Sequence, residues 1–191
     1  MVVKAKNFKV QVEKDNSAPL SRRFIAYLID WYVGALATAF PIAITSQKLY
    51  NTMLNQYVVE FEAPFGLIAG IAGLVCAFLY FVIVPTYVTN GQTLGKRICK
   101  IKVVQESGKD VKLSNMLLRQ VLGIAIIEGV LITASAIWHQ VAMILTGINF
   151  VTPLMYVGFA IGGLSVLLVL FKGNHRAIHD YIGKTKVISC Q

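Results

Sequence analysis

Charge is scarce in this sequence. Of 191 residues only 14% are Asp, Glu, Lys or Arg, while 56% are hydrophobic; a soluble domain carries about a quarter charged residues. Such a chain cannot cover a soluble globule with polar surface. Its mean hydropathy of +0.65 suits a protein whose outer face meets lipid. Cysteine is also sparse: Cys76, Cys99 and Cys190 have no C-x-x-C spacing, so no disulfide framework or zinc site is expected. No Gly-rich phosphate loop is present, because "GQTLGKR" lacks the Walker spacing and the Ser or Thr that follows it. No zinc-finger, helix-turn-helix or RNA-binding signature accompanies the net charge of +9, so nucleic acid is not an expected partner.

What the sequence has instead is four long apolar stretches, at about 23–45, 65–88, 117–138 and 153–171. Each approaches the roughly 20 residues needed to cross the hydrocarbon core. In lipid a backbone must satisfy its own hydrogen bonds, so each is expected to be a helix. The expected fold is therefore an all-α membrane protein, a four-transmembrane-helix bundle over about 21–188. A polar tail, 1–20, precedes it, with a short strand expected at "FKVQVE". No cleavable signal peptide is expected, because the first apolar run is too long for one.

Basic residues set the orientation. Of the 18 Lys and Arg residues, all but Lys48 fall before Asp30, in the central loop 89–116 and start of the third stretch, or after the fourth. By the positive-inside rule both termini and the central loop are expected to be cytoplasmic in a cell membrane. The loop residues Lys96, Arg97, Lys100 and Lys102 form a basic patch expected to touch anionic headgroups. Within that loop "ICKIKVV" alternates with period two, as does the C-terminal "GKTKVIS", so each is expected to be a short strand and the two to pair. Ser114 is the expected N-cap of the third helix, and Pro85 is expected to close the second.

Small residues mark the packing faces. Gly66, Gly70, Gly73 and Ala77 share a face of the second stretch, and Gly158, Gly162 and Ser165 one of the fourth. Small residues let helices approach closely in lipid. On the first stretch Ala26, Asp30, Gly34, Ala37 and Pro41 share a face, so Asp30 is expected to meet other helices.

Asp30 and Glu128 are the two acids inside apolar segments. Each costs about 2.5–3.5 kcal/mol at a helix centre. Arg23 and Arg119 placed at the inner interface put Asp30 about 10 Å and Glu128 about 13 Å further in, at a similar depth. The tilt of side chains toward the helix N-terminus points Arg23 away from Asp30. Asp30 is therefore expected either to take a partner from another segment, with Arg119 a candidate, or to stay protonated. Both acids have two readings, an interhelical hydrogen bond that fixes packing and a proton or ion pathway. His175 and His179 are spaced to hold a metal on one helix face, but no third ligand set accompanies them, so an interfacial polar pair is expected. His139 is expected at the outer end of the third span, and Tyr80 and Tyr87 at headgroup level.

Three motifs, "SRRFIAYLID", "GQTLGKRICKIKVV" and "RAIHDYIGKTKVI", together resemble the RDD family of small prokaryotic membrane proteins, over about 18–188. The resemblance matches the family's arginine to Arg23 and its two aspartates to Asp30 and Asp180. It matches the family's basic turn to Gly95, Lys96 and Arg97, and an arginine before the third span to Arg119. Glu128 and the outer loop lie outside the family pattern. The resemblance implies transport of an undefined ligand, with exchange of monovalent cations and protons suggested for a member. Two functions are therefore expected. In one, Asp30 and Glu128 carry a proton, cation or small solute while Arg23 and Asp180 form a latch, with a homodimer as the working unit. In the other, the chain is a non-transporting scaffold or accessory subunit of a membrane complex, and these residues are a structural clasp. No enzyme activity, cofactor or bound metal is expected.

Overall fold

The computed structural model describes residues 17–129 and 133–190. The strand expected at "FKVQVE" lies outside them. Helix α1 spans Leu20–Tyr50, 31 residues, with Pro41 inside it. At 1.5 Å per residue this is about 46 Å, longer than the hydrocarbon core, so at least one end projects beyond it. The helix ends at Asn51, whose left-handed backbone sends its N–H back to the Gln47 carbonyl.

Helix α2 spans Phe65–Val88. Its first part is α-helical, but Leu79–Val88 winds as a π-helix that contains Pro85. Pro85 therefore does not close the helix. A proline ring crowds the carbonyl one turn back and has no N–H to donate, and the wider winding accommodates both. The final N–H, at Thr89, reaches the Val84 carbonyl five residues back.

A short helix, α3 (Leu94–Ile98), and strand β1 (Ile101–Gln105) follow. The third apolar stretch is not one straight rod. It forms α4, Leu113–Glu128, and α5, Thr133–Thr146, whose axes differ by 69°. Gly129 adopts a left-handed backbone (φ 50°) at the end of α4, a conformation in which glycine alone is unstrained. Lys112, not Ser114, caps α4; the Asn115 side chain accepts the Lys112 N–H at 3.3 Å. Helix α6 (Val151–Phe171), a short α7 (Ile178–Ile182) and strand β2 (Thr185–Ser189) complete the chain. Among the described residues three helices, α1, α2 and α6, are long and apolar enough to cross a membrane, and the bent pair α4–α5 makes a fourth if it is one span.

The two strands pair antiparallel with Val103 opposite Val187, and Ser17 bridges to Ile188 at the sheet's edge. Both strands start from a lysine in the left-handed region, Lys100 and Lys184. Period two then turns Ile101, Val103 and Val187 into a core shared with Ala18, Ala26, Val82 and Met116. This small cap is thus welded to one end of the bundle, at α1, α2 and α4. A second core at the other end gathers Ile42, Ala69 and Ile137 around Val58 and Phe61 from the loop after α1.

The buried stripe of α1 is Ala26, Asp30, Gly34, Thr38, Ile42 and Ser46, one residue in four. Steps of four advance by 40° on a 3.6-residue helix, so the stripe spirals instead of following one straight face. Ala37 and Pro41, expected on the packed face, are only half-buried as a result. Gly73 of α2 packs so closely on α1 that a Cβ there would lie 2.8 Å from the Thr38 carbonyl. The small faces of α2 and α6 are buried at Gly66, Gly70, Gly73 and Ala77 and at Gly158, Gly162 and Ser165.

Candidate functional site

The motif "QTLGKR" closes over α1. Thr93 precedes α3 in an extended conformation, and the first N–H groups of any helix lack partners within it. Asp30 supplies the acceptor. Its Oδ1 receives the Gly95 N–H at 2.8 Å and the Tyr80 hydroxyl at 2.8 Å. Its Oδ2 receives the Thr93 hydroxyl and, at 2.8 Å, the Lys96 ammonium. A carboxylate has about four lone-pair sites, and here four donors from α2 and the central loop meet them. Gly95 is required because the backbones almost touch: a Cβ there would run into the Ala26 carbonyl and lie 2.9 Å from Asp30 Oδ1.

Asp180 is the hub of a second constellation and is wholly buried. The Arg23 guanidinium from α1 donates to Oδ2 at 2.9 Å, and that of Arg119 from α4 donates to Oδ1. Asp180 also receives the Ala177 N–H at 3.1 Å, which caps its own short helix. The second amino group of Arg23 donates to the His175 carbonyl, and Arg119 adds the Thr185 hydroxyl at 3.1 Å. One carboxylate thereby joins α1, the start of α4 and the segment that holds α7. Burial alone would raise the Asp180 carboxyl; Arg119, with His179 and Arg23, overrides it and holds the group well below the usual carboxylate range.

Glu128 lies beside this hub. Its Oε1 accepts the Ser165 hydroxyl at 2.9 Å and the His179 N–H at 2.8 Å, and the His179 ring nitrogen Nδ1 is 3.0 Å from both carboxylate oxygens. His179 Nε2 is 3.9 Å from Asp180 Oδ2, so the imidazole bridges the two acids.

The structure thus brings Arg23, Arg119, Asp180 and Glu128 into one cluster and puts Asp30 in another with Lys96. The hydrogen-bond partners given above for Asp30 and for Glu128 are different residues. Arg119 is not the partner of Asp30, because its guanidinium is taken up by Asp180. Of the other basic loop residues, Arg97 and Lys100 are exposed, and Lys102 makes an exposed pair with Asp110 at 3.3 Å. His175 and His179 do not share a helix face, since His175 precedes α7 with a left-handed backbone and its ring lies 2.9 Å from the Val169 carbonyl. Among the described residues no group of three or more His, Cys, Asp and Glu side chains is placed to hold a metal ion. His139 is buried midway along α5, not at the end of a span. Tyr80 turns inward to Asp30, whereas Tyr87 is exposed.

Sequence reasoning missed Thr93, Tyr80, Ser165 and His179 as partners of the two acids. For Thr93 a signal existed, since a Thr two residues ahead of "GK" is a helix-cap residue looking for a role. For Ser165 and His179 there was none, because the bonds to Glu128 span 37 and 51 residues.

No solved structure and no curated protein gives a match to this chain. A family model does: that of the RDD family matches residues 17–184, a stretch that holds Arg23, Asp30, Lys96, Arg119 and Asp180. The chain belongs to the RDD family.

Proposed function

We propose that the chain is a four-span protein of the cell membrane, with its cap cytoplasmic, that serves as a non-transporting scaffold or accessory subunit. Its Arg and Asp residues form a clasp between spans and cap. The observation that carries this reading is the sealing of Asp180, which is fully buried between guanidiniums from two different helices. Asp30 is saturated in the same way by four donors. A carboxylate with all its lone pairs engaged and almost no exposure is built to hold backbone together. Orientation follows from the basic residues concentrated on the cap side, which suit anionic lipid headgroups and an acidic partner subunit. No enzymatic chemistry is part of this reading.

One observation favours a second reading, exchange of a proton or monovalent cation at Asp30. The Lys96 ammonium sits 2.8 Å from Asp30 Oδ2 and 3.0 Å from Thr93 Oγ1, the place a small cation would take among these oxygens. Its flexible stem can swing away, unlike a backbone donor.

Asp30→Asn separates the two. An asparagine there keeps an acceptor for Gly95 and Tyr80 but opposes an amide N–H to the Lys96 ammonium. On the clasp reading it costs about 1–3 kcal/mol, seen as a melting temperature several degrees lower in detergent. Vesicles carrying the unsubstituted protein then dissipate imposed proton, Na+ and K+ gradients no faster than empty vesicles. Gradient dissipation by the unsubstituted protein that Asp30→Asn abolishes would overturn the clasp reading and establish the second.

A further inference from the structure

We propose that a cavity of about 590 Å³ between α2, α4 and α5 is a seat for one acyl chain of a membrane lipid. It lies within the volume range of small-molecule sites, roughly 300–1,000 Å³, and none of its lining residues is among the hydrogen-bond partners described above for Asp30, Glu128 and Asp180. Val75, Phe78, Ala125, Ile126 and Trp138 are among its walls, and Gln120 is its one amide. The indole N–H of Trp138 is already donated to the Ala125 carbonyl at 2.8 Å. Water in a cavity needs two to four polar partners, and these walls do not offer them. The occupant is therefore hydrocarbon.

The position of the mouth says which hydrocarbon. Val75, Phe78 and Ile126 are exposed, and they lie on helices that cross the membrane or form the bent pair. The cavity opens on the side of the molecule that acyl chains already surround. Along α2 its walls run from Ile71 to Val82, about 16 Å of helix. A single flexible acyl chain can lie along that length, and chains of that kind are at hand on this face in any bilayer.

The chain has two tryptophans, Trp31 and Trp138, which makes the test direct. Trp31→Phe leaves Trp138 as the reporter inside the cavity, and Trp138→Phe leaves the exposed Trp31 as a reference for bulk lipid. Both proteins are reconstituted into phosphatidylcholine vesicles with plain or dibrominated acyl chains, bromine being a contact quencher of indole emission. We expect dibrominated lipid to lower Trp138 emission at least twofold. Filling the cavity with Ala125→Phe, or independently with Val75→Phe at its mouth, should reduce that quenching by half or more while leaving the Trp31 reference unchanged. Unquenched Trp138 emission overturns the proposal without any filling variant. So does quenching that neither filling variant alters, which would mean ordinary bulk contact. Loss of quenching in a protein that cross-links as a dimer would assign the cavity to a second copy, again against the proposal.

Discussion

Replacing Asp180 with alanine is expected to lower stability by about 3–5 kcal/mol, the cost of leaving a buried charge without its partner. For a chain of this size that corresponds to a fall in melting temperature of roughly 10 °C, measurable by circular dichroism in detergent. The expectation rests on Arg119. Its side chain is only 4% exposed, and its Nε already lacks a hydrogen-bond partner among the described residues. Without Asp180 the guanidinium would retain Thr185 alone among the acceptors described here. Arg23 is less trapped, with 14% of its side chain exposed, and can turn toward water. The double substitution Arg119→Met with Asp180→Leu should therefore recover much of the loss, because it removes the stranded charge along with the acid. A single substitution that melts within 2 °C of the parent would show that the hub holds nothing.

The same carboxylate makes a prediction about pH. Its folded value is depressed below the ordinary aspartate value of about 3.9. A depressed acid stabilises fully above its unfolded value, and that stabilisation is lost as pH falls toward the folded one. The difference in melting temperature between the parent and Asp180→Ala should thus stay constant from pH 8 to 5 and shrink only below about pH 4. A difference that decays between pH 8 and 5 would mean that Asp180 takes up a proton in the folded state there.

The second large effect is expected at Gly95. Alanine there would drive its methyl into the Ala26 carbonyl and crowd Asp30 Oδ1. Neither obstacle is a flexible side-chain tip that can step aside: one is α1 backbone, and the other is a carboxylate held by three further donors. Helix α3 must therefore lift off α1, and the Asp30 bonds break together. We expect about 3 kcal/mol of destabilisation, in the upper range for single substitutions. Faster hydrogen exchange should appear at Gly95 and through Leu94–Ile98. Protection that is unchanged in this segment would refute the close-approach argument.

How much of this was legible beforehand divides along physical lines. Burial in lipid writes itself into long apolar runs, so α1, α2 and α6 could be read directly, and strand alternation disclosed β1 and β2. Helix winding left no such trace. The third apolar stretch reads as one run through 117–138, so composition could not reveal the 69° break between Leu113–Glu128 and Thr133–Thr146. Pro85 signalled an end where a wider coil carried the chain through. In the candidate site the individual charged residues stood out because they are costly in an apolar context, but their pairing did not. Lys96 meets Asp30 across 66 positions and Arg119 meets Asp180 across 61. Matching Arg23 and Arg119 in depth was a sound guide to which end of the bundle holds the charges, and a poor one to which acid each would choose.

The spacing of the two clasps along the chain also orders events during synthesis. The lock on Asp30 needs nothing beyond Lys96, so a nascent chain can close it before Asp180, 84 residues further on, has been made. Asp180 and β2 arrive only after α6 has been made, and until then Arg23 and Arg119 wait without their counter-charge. A polypeptide released early, short of residue 176, would carry a finished first clasp beside two stranded cations, a state that quality-control machinery can tell from the completed molecule.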